Sequence, residues 1–303
     1  ANIKNEAGKC VYTHMLNPDG GIETDLTVVC IEKDHFRIIS SAATRERDKF
    51  HINKHLAKDV ELKDVTDDYC VFGVFGPKSR ALMKSISKDN FENDNFRFST
   101  AKYITIEGIK IWTQRLSYVG ELGYELYVKS EDAKKIYELL VNKGKDFNLS
   151  NCGMHAMDIM RMESGFLHWG HDISPEENQY QAGLSFTISS KKEDEFIGKK
   201  ALEKIKKEKI KSRFAMFTLK DSKPGEPLLL HDEPIYLENR IIGRSTSGNY
   251  SFNFRKNLTF GYINNDISND ELHKKDLFIE VEKKKYPIEI INKPLKQTNF
   301  KNN

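Results

Sequence analysis

The run Asn17-Pro18-Asp19-Gly20-Gly21 constrains this chain more than any other stretch. Proline presets one turn dihedral and the paired glycines supply left-handed ones, so the flanking segments 12–16 and 22–30 must return on each other as a hairpin. Along Ile22 to Val28, strand alternation puts Ile22, Thr24, Leu26 and Val28 on one face and Glu23, Asp25 and Thr27 on the other. Aspartate is disfavoured inside strands, so Asp25 either faces solvent or is held for charge chemistry. The hairpin returns residues 12–14 alongside Asp25, which sets a phenol or an imidazole beside that carboxylate.

Further strands are expected over 36–40, 60–65 and 69–75, the last ended by Gly76-Pro77. Thr44 is placed to cap a helix running to about Leu56, and a short helix follows over 79–86. The stretch 103–117 reads as strands around a turn at Gly108, and 124–128 as another strand. Ser130 then begins a helix whose Ala133, Ile136, Leu139 and Leu140 share one side, and Gly144 ends it. A second helix over about 150–167 carries Met154, Met157, Met160 and Met162, read as a core stripe rather than a cofactor box. The basic helix 197–211, read as a solvated face, leads to short strands and turns through Pro287, with a domain boundary near 207–213. Strands and helices occur without a repeated βαβ unit, so the fold class is α+β.

Several functions are disfavoured by composition. The balance of 48 basic against 45 acidic side chains, +3, builds no field that would make nucleic acid or a membrane surface the expected partner. No apolar run reaches the roughly 18 residues a spanning helix needs, and a signal peptide's apolar core is missing from ANIKNEAGK. Cys10, Cys30, Cys70 and Cys152 form no CxxC pair, which fits a reducing, cytoplasmic setting and small core residues. His51 with His55, and His168 with His171, have ligand-like spacing but lack a third ligand, so no metal is expected. Neither GxGxxG nor GxxxxGK[ST] is present, so any flavin or nicotinamide would sit on another module.

Two further constellations carry chemistry. In the turn from Arg115 to Tyr127, RLSYVGELGYELY, two glycines let a ligand approach the backbone, and Glu125 is a carboxylate within a strand of Tyr and Leu. It is either a surface carboxylate of a hairpin or a partly buried one in want of donors. The segment from Arg161 to Gly165, RMESG, is followed by Trp169 to Pro175, WGHDISP; Arg161 either pairs with neighbouring acids or reaches an acidic ligand, structural pairing being the commoner use.

The blocks YTHMLNPDGGIETDLTV, RLSYVGELGYELYV, MRMESGFLHWGHDISPEENQYQAGL and FIGKKAL, in this order, resemble the aminomethyltransferase (glycine cleavage T-protein) superfamily. SYVGELGYELY and WGHDIS are most similar to the folate-binding C-terminal half of dimethylglycine and sarcosine dehydrogenases. The resemblance implies a three-domain cloverleaf around a central folate site with a C-terminal β-barrel-like domain. Residues 1–69 with 181–207 would form the second folate-site domain, 70–180 the first domain, and 208–303 the C-terminal domain. Family members begin with a further strand-helix segment containing an FDxS-like strand, so the first domain is expected to lack its N-terminal part here. The implied reaction is tetrahydrofolate-dependent transfer of a methylene unit from an N-methylated or aminomethyl donor, giving 5,10-methylenetetrahydrofolate. FAD would belong to a separate upstream dehydrogenase module. The alternatives are a stand-alone glycine cleavage aminomethyltransferase, a sulfonium demethylase, and a non-catalytic folate-binding protein, for which Cys152 is a weak reactive-cysteine candidate. By the same resemblance Asp25 is the catalytic acid, and Tyr12, Tyr118, Glu125 and, more weakly, Arg161 line the folate site. An ionised Glu125 suits the adjacent amino and N–H donors of a pterin. Asp25 suits orienting a folate nitrogen and relaying its proton, and the tyrosines suit ring packing or a hydrogen bond.

Overall fold

The structure is a computed structural model and describes residues 1–3, 6–189, 192 and 194–297. These fall into two compact units, one built from residues 1–2, 14–25 and 154–297, the other from 3–13 and 26–153.

The expected hairpin forms as β1 (Cys10–Leu16) and β2 (Ile22–Glu32), which with β3 (His35–Ile39) make a three-stranded sheet. Its turn is fastened by Asn17, whose Oδ1 accepts from the backbone N–H groups of Asp19 (3.1 Å) and Gly21 (2.8 Å). Only glycine fits at position 21, because a Cβ there would lie 1.8 Å from the Pro175 carbonyl oxygen. Burial in β2 alternates from Ile22 to Leu26 and then changes phase, so that Val29 and Cys30 are both buried and Val28 is half-buried. The two ends of β2 serve different cores, which strict alternation cannot do: Ile22 packs with Leu16, Ile173 and Leu202, and Val29 with Cys10, Trp112 and Tyr127.

Helix α1 (Arg45–His55) follows Thr44, but the threonine hydroxyl donates to Asp48 (2.7 Å) and makes no cap bond. The strand expected over 60–65 does not form. Asp64 instead folds the chain locally, accepting from Thr66 N (3.0 Å) and Arg45 Nε (2.8 Å), the competition with ladder bonds that short polar side chains offer.

The second unit's main sheet contains β4 (Tyr69–Phe75) and, after α2 (Ser79–Ile86), β5 (Thr100–Ile106), β6 (Ile109–Arg115) and β7 (Gly123–Lys129). The spatial order is β4-β7-β6-β5, all antiparallel. One face buries Val74, Ile104, Ile111, Leu126 and Val128 with side chains of α2 and of α3 (Ala133–Gly144), whose Ile136 and Leu140 are buried. The other face carries Glu125 and Tyr127 of β7 and Gln114 and Trp112 of β6.

In the first unit, α4 (Met154–Glu163) is shorter than expected and ends where Gly165 takes a left-handed conformation (φ +74°). Its methionines do not form a core stripe: Met154 is exposed, Met157 and Met160 are half-buried, and Met162 alone is fully buried, beside Ile159, Leu258 and Phe260. The rest of the helix's buried surface is polar, made of Arg161 and Glu163. The lysine-rich α5 (Lys199–Lys207) buries Leu202, and its Ala201, Leu202 and Ile205 close over Gly20. Beyond it stand β8 (Ser212–Leu219), β9 (Pro234–Leu237), β10 (Arg240–Ser251), β11 (Lys256–Asn264), α6 (Asn269–Lys274), β12 (Leu277–Val281) and β13 (Lys284–Ile291). The six strands close into a barrel, β10-β11-β8-β13-β12-β9, filled by Phe217, Leu219, Ile235, Ile263, Ile279 and their neighbours. The α+β class and the C-terminal barrel are thus both as expected. No helix among the described residues is long and apolar enough to cross a membrane.

Candidate functional site

Of the five residues singled out in the sequence, Tyr12, Tyr118 and Glu125 belong to the second unit, and Asp25 and Arg161 to the first. Each unit builds a polar cluster, and the two clusters differ in kind.

In the second unit Glu125 is central to β7, directly opposite Gln114 of β6 on one side and Gly73 of β4 on the other. Residues so paired place their Cβ atoms about 4.5–5.5 Å apart on one face. Tyr127, two residues along the strand and on the same face, donates its hydroxyl to Glu125 Oε2 at 2.9 Å. This is the one hydrogen bond to the Glu125 carboxylate among the described residues. Burial, only partly offset by that bond, raises the pKa of Glu125 above the usual carboxylate range. Burial and the adjacent carboxylate in turn hold the Tyr127 phenol protonated, and burial followed by Glu125 pushes the Cys10 thiol up to about 12. Cys10 is therefore an inert core thiol at neutral pH.

Around this carboxylate several buried polar atoms have no hydrogen-bond partner among the described residues. Gln114 is fully buried, and neither Nε2 nor Oε1 of its amide makes a hydrogen bond; Trp112 Nε1 and Arg37 Nη1 are in the same state. The Arg37 guanidinium lies 4.9 Å from the Tyr69 ring and 5.9 Å from those of Trp112 and Tyr127. A cleft of about 400 Å³ is lined by Arg37, Tyr69, Val71, Tyr127 and side chains of α1. Tyr118 is half-buried in the β6–β7 connection, and Tyr12 is exposed on β1.

In the first unit Asp25 is half-buried on β2. The WGHDIS block fixes the start of this strand: Trp169 Nε1 donates to the Ile22 carbonyl (3.0 Å), and the Ile22 N–H donates to the Glu177 carbonyl (2.9 Å). The same block supplies Asp172, which is fully buried and paired with Arg161. Arg161 also donates to Asp158 (2.9 Å), Ser247 Oγ (2.8 Å) and the Phe166 carbonyl (3.1 Å). Asp172 accepts from Thr246 Oγ1 (2.6 Å), Ser247 Oγ (2.8 Å) and the His168 N–H (3.0 Å). Glu163, close to Arg161 in sequence, turns instead to Ser251 Oγ (2.6 Å) and Asn253 Nδ2 (2.9 Å). Arg161 thus has the structural pairing that the sequence left open, and it ties α4 to barrel strand β10.

His14 of β1 bonds Thr187 Oγ1 at 3.1 Å, and burial lowers its pKa to about 4, so it is neutral at physiological pH. The rings of His51–His55 and His168–His171 lie with centroids 5.1 and 4.7 Å apart, tilted at 57° and 50°, and no group of three or more His, Cys, Asp or Glu side chains among the described residues is arranged to hold a metal. Cys152 is exposed just before α4.

Residues missed in the sequence are Gln114, Trp112, Arg37 and Tyr127. Period-two alternation would have placed Gln114 with Trp112, and Glu125 with Tyr127, but the register that sets Gln114 opposite Glu125 is not written in either strand alone.

A GCVT N-terminal domain matches residues 1–192, and a glycine cleavage T-protein C-terminal barrel domain matches 213–296. The chain belongs to the glycine cleavage T-protein family of folate-dependent aminomethyltransferases. It is 32% identical over 299 residues to the mitochondrial dimethylglycine dehydrogenase of Homo sapiens, matching 97% of this chain and 34% of that protein. It is also 32% identical over 260 residues to the aminomethyltransferase of Halothermothrix orenii, covering 86% of this chain and 71% of that one. The fold is that of the glycine cleavage system aminomethyltransferase T from Bartonella henselae, with a TM-score of 0.81 and 20% identity over 96% of this chain and 77% of that one. The chain therefore spans about a third of the length of the dehydrogenase relatives it matches.

Proposed function

We propose that this chain passes a one-carbon unit from an N-methylated or aminomethyl donor to tetrahydrofolate, as the folate module of a dimethylglycine or sarcosine dehydrogenase type of enzyme. The observation that carries the reading is Glu125, a deeply placed carboxylate with one donor and a raised pKa. Such a group is stabilised by a ligand that brings two adjacent N–H donors, as the amino-pyrimidine edge of a pterin does. The unpartnered Gln114 and Trp112 atoms beside it fit the same kind of flat, polar-edged ring. Tetrahydrofolate, when bound, supplies the ring nitrogens that take up the one-carbon unit as 5,10-methylenetetrahydrofolate. In this reading Glu125 orients the pterin, Tyr127 holds the Glu125 carboxylate, and Tyr12 and Tyr118 pack on the ligand. Asp25, on the strand fixed by Trp169, orients the reacting nitrogen and relays its proton. Arg161, paired with Asp158 and Asp172, is the weaker candidate for lining the folate site. The chain divides, on the same reading, into 1–69 with 181–207, 70–180 and 208–303, and any FAD belongs to a separate dehydrogenase module. The high share of this chain matched by dimethylglycine dehydrogenase favours the dehydrogenase branch. The coverage of the Halothermothrix aminomethyltransferase favours a stand-alone glycine cleavage enzyme as the second reading.

Calorimetric titration with tetrahydrofolate tests this. Glu125→Ala should weaken binding by about ten- to a hundredfold, the effect of losing a charge-assisted pair of hydrogen bonds. Because ligand donors favour the ionised carboxylate, wild-type binding should tighten as pH rises through the raised Glu125 pKa. Asp25→Ala should reduce methylene transfer far more than folding stability. Equal loss of transfer and stability would make Asp25 structural, and unchanged binding in Glu125→Ala would remove the pterin assignment.

A further inference from the structure

Resting on the folate reading, we infer that Gln114 is a specificity-determining residue of the pterin site, its amide donating to the ring 4-oxo group while Glu125 accepts from the neighbouring N–H and amino groups. The argument begins with an anomaly of burial. Gln114 is fully buried in the middle of β6, yet both polar atoms of its amide lack a hydrogen-bond partner. An amide removed from water without a partner destabilises the folded chain, and buried side-chain amides are therefore nearly always satisfied. A chain keeps such a group at a cost in stability when something outside the chain completes it.

Its position says what that something is. Gln114 stands directly opposite Glu125, on the same sheet face. The pair presents, side by side, a carboxylate that only accepts and a carboxamide that donates through Nε2. A 2-amino-4-oxopyrimidine ring displays the complementary edge, with an amino donor, a ring N–H donor and a carbonyl acceptor in a row. Glu125 alone accounts for the two donors but leaves the carbonyl without a partner. Trp112 Nε1, on the same strand two residues away, and Arg37 Nη1, whose guanidinium lies against the Trp112 and Tyr127 rings, are also unpartnered donors here among the described residues; Gln114 is the one in register with the carboxylate.

The distinction has a chemical readout, because exchanging the 4-oxo group for a 4-amino group turns the acceptor that faces Gln114 into a donor, and also turns the ring N–H that faces Glu125 into an acceptor, so that the part due to Gln114 is what changes when the amide is removed. The wild-type chain should bind tetrahydrofolate at least about tenfold more tightly than its 4-amino-4-deoxy counterpart, as expected when a buried donor is left facing a donor. Gln114→Met, which keeps the size and removes the amide, should weaken tetrahydrofolate binding and narrow the preference between the two ligands at least about threefold, the preference that remains being that of Glu125 for the ring N–H. Since the amide makes no hydrogen bond among the described residues, the ligand-free variant should melt at or above the wild-type temperature, which a structural glutamine would not allow. The two titrations and the melt together separate the possible failures. Wild-type protein that binds neither compound overturns the folate reading and this inference with it. Tetrahydrofolate binding with the same preference in Gln114→Met leaves the folate site standing and removes Gln114 from it. A variant that melts lower, or fails to fold, shows that the amide has a structural partner and also overturns the inference.

Discussion

The Arg161–Asp172 cluster and the Glu125–Gln114 cluster are both buried and both polar, yet one is saturated and the other is not. Asp172 has Arg161, Thr246, Ser247 and a backbone N–H around it, and Arg161 donates to Asp158 of α4, Ser247 of β10, Asp172 and the Phe166 carbonyl. Among the described residues Glu125 has one donor, and its cross-strand neighbour Gln114 has no partner. A saturated buried network specifies a fold, because each group's loss leaves the others without partners. An unsaturated one costs stability in the free protein and is where a polar ligand gains most.

The largest effect should come from opening the saturated cluster. Arg161→Ala would leave Asp172 buried and unpaired and should destabilise the protein by about 3–5 kcal/mol in urea unfolding, whereas a double replacement of Arg161 and Asp172 by Met and Leu should cost much less. A single substitution that costs under about 1 kcal/mol would break the contrast between the clusters.

A smaller effect is expected from pH at His14. Its folded pKa of about 4 lies below the ordinary value near 6.5, so the unfolded chain takes up the proton first as pH falls. Stability from this group is complete above about pH 6.5 and declines toward pH 4, by at most about 3 kcal/mol for a shift of this size. His14→Gln should flatten that part of the profile, measured as the difference between variant and wild type at pH 7.5, 6 and 5; parallel profiles would show that His14 is solvated.

The smallest effect, and of opposite sign, belongs to the unsaturated cluster. Because the raised pKa means that the ionised Glu125 is penalised in the folded state, its cost is absent well below the unfolded pKa and present at neutral pH. Glu125→Gln should therefore stabilise the ligand-free protein at pH 7, read as a higher midpoint in thermal or urea unfolding. Loss of stability instead would place Glu125 with the structural network.

Local sequence signals were enough where the physics is local. Pro18 and Gly20-Gly21 determined the hairpin, Gly76-Pro77 the end of β4, and apolar spacing the buried side of α3, because turn dihedrals and helix periodicity are properties of neighbouring residues. The ordered blocks around Asp25, Glu125 and Arg161 likewise marked the family before any contact was known. The expected strand at 60–65 failed because Asp64 found closer partners in Thr66 and Arg45, and the methionine stripe failed because α4 buries Arg161 and Glu163 but only Met162 of its methionines. What only the tertiary structure decided is which polar side chains are spent and which are spare. Arg161 finds Asp172 and Ser247, 11 and 86 residues away, and so becomes structural; Gln114 meets Glu125 through strand register and stays unbonded. Hydrogen-bond saturation depends on partners distant in the chain, so a residue's type and spacing determine what it can bind, and the packed fold determines whether that capacity is already used.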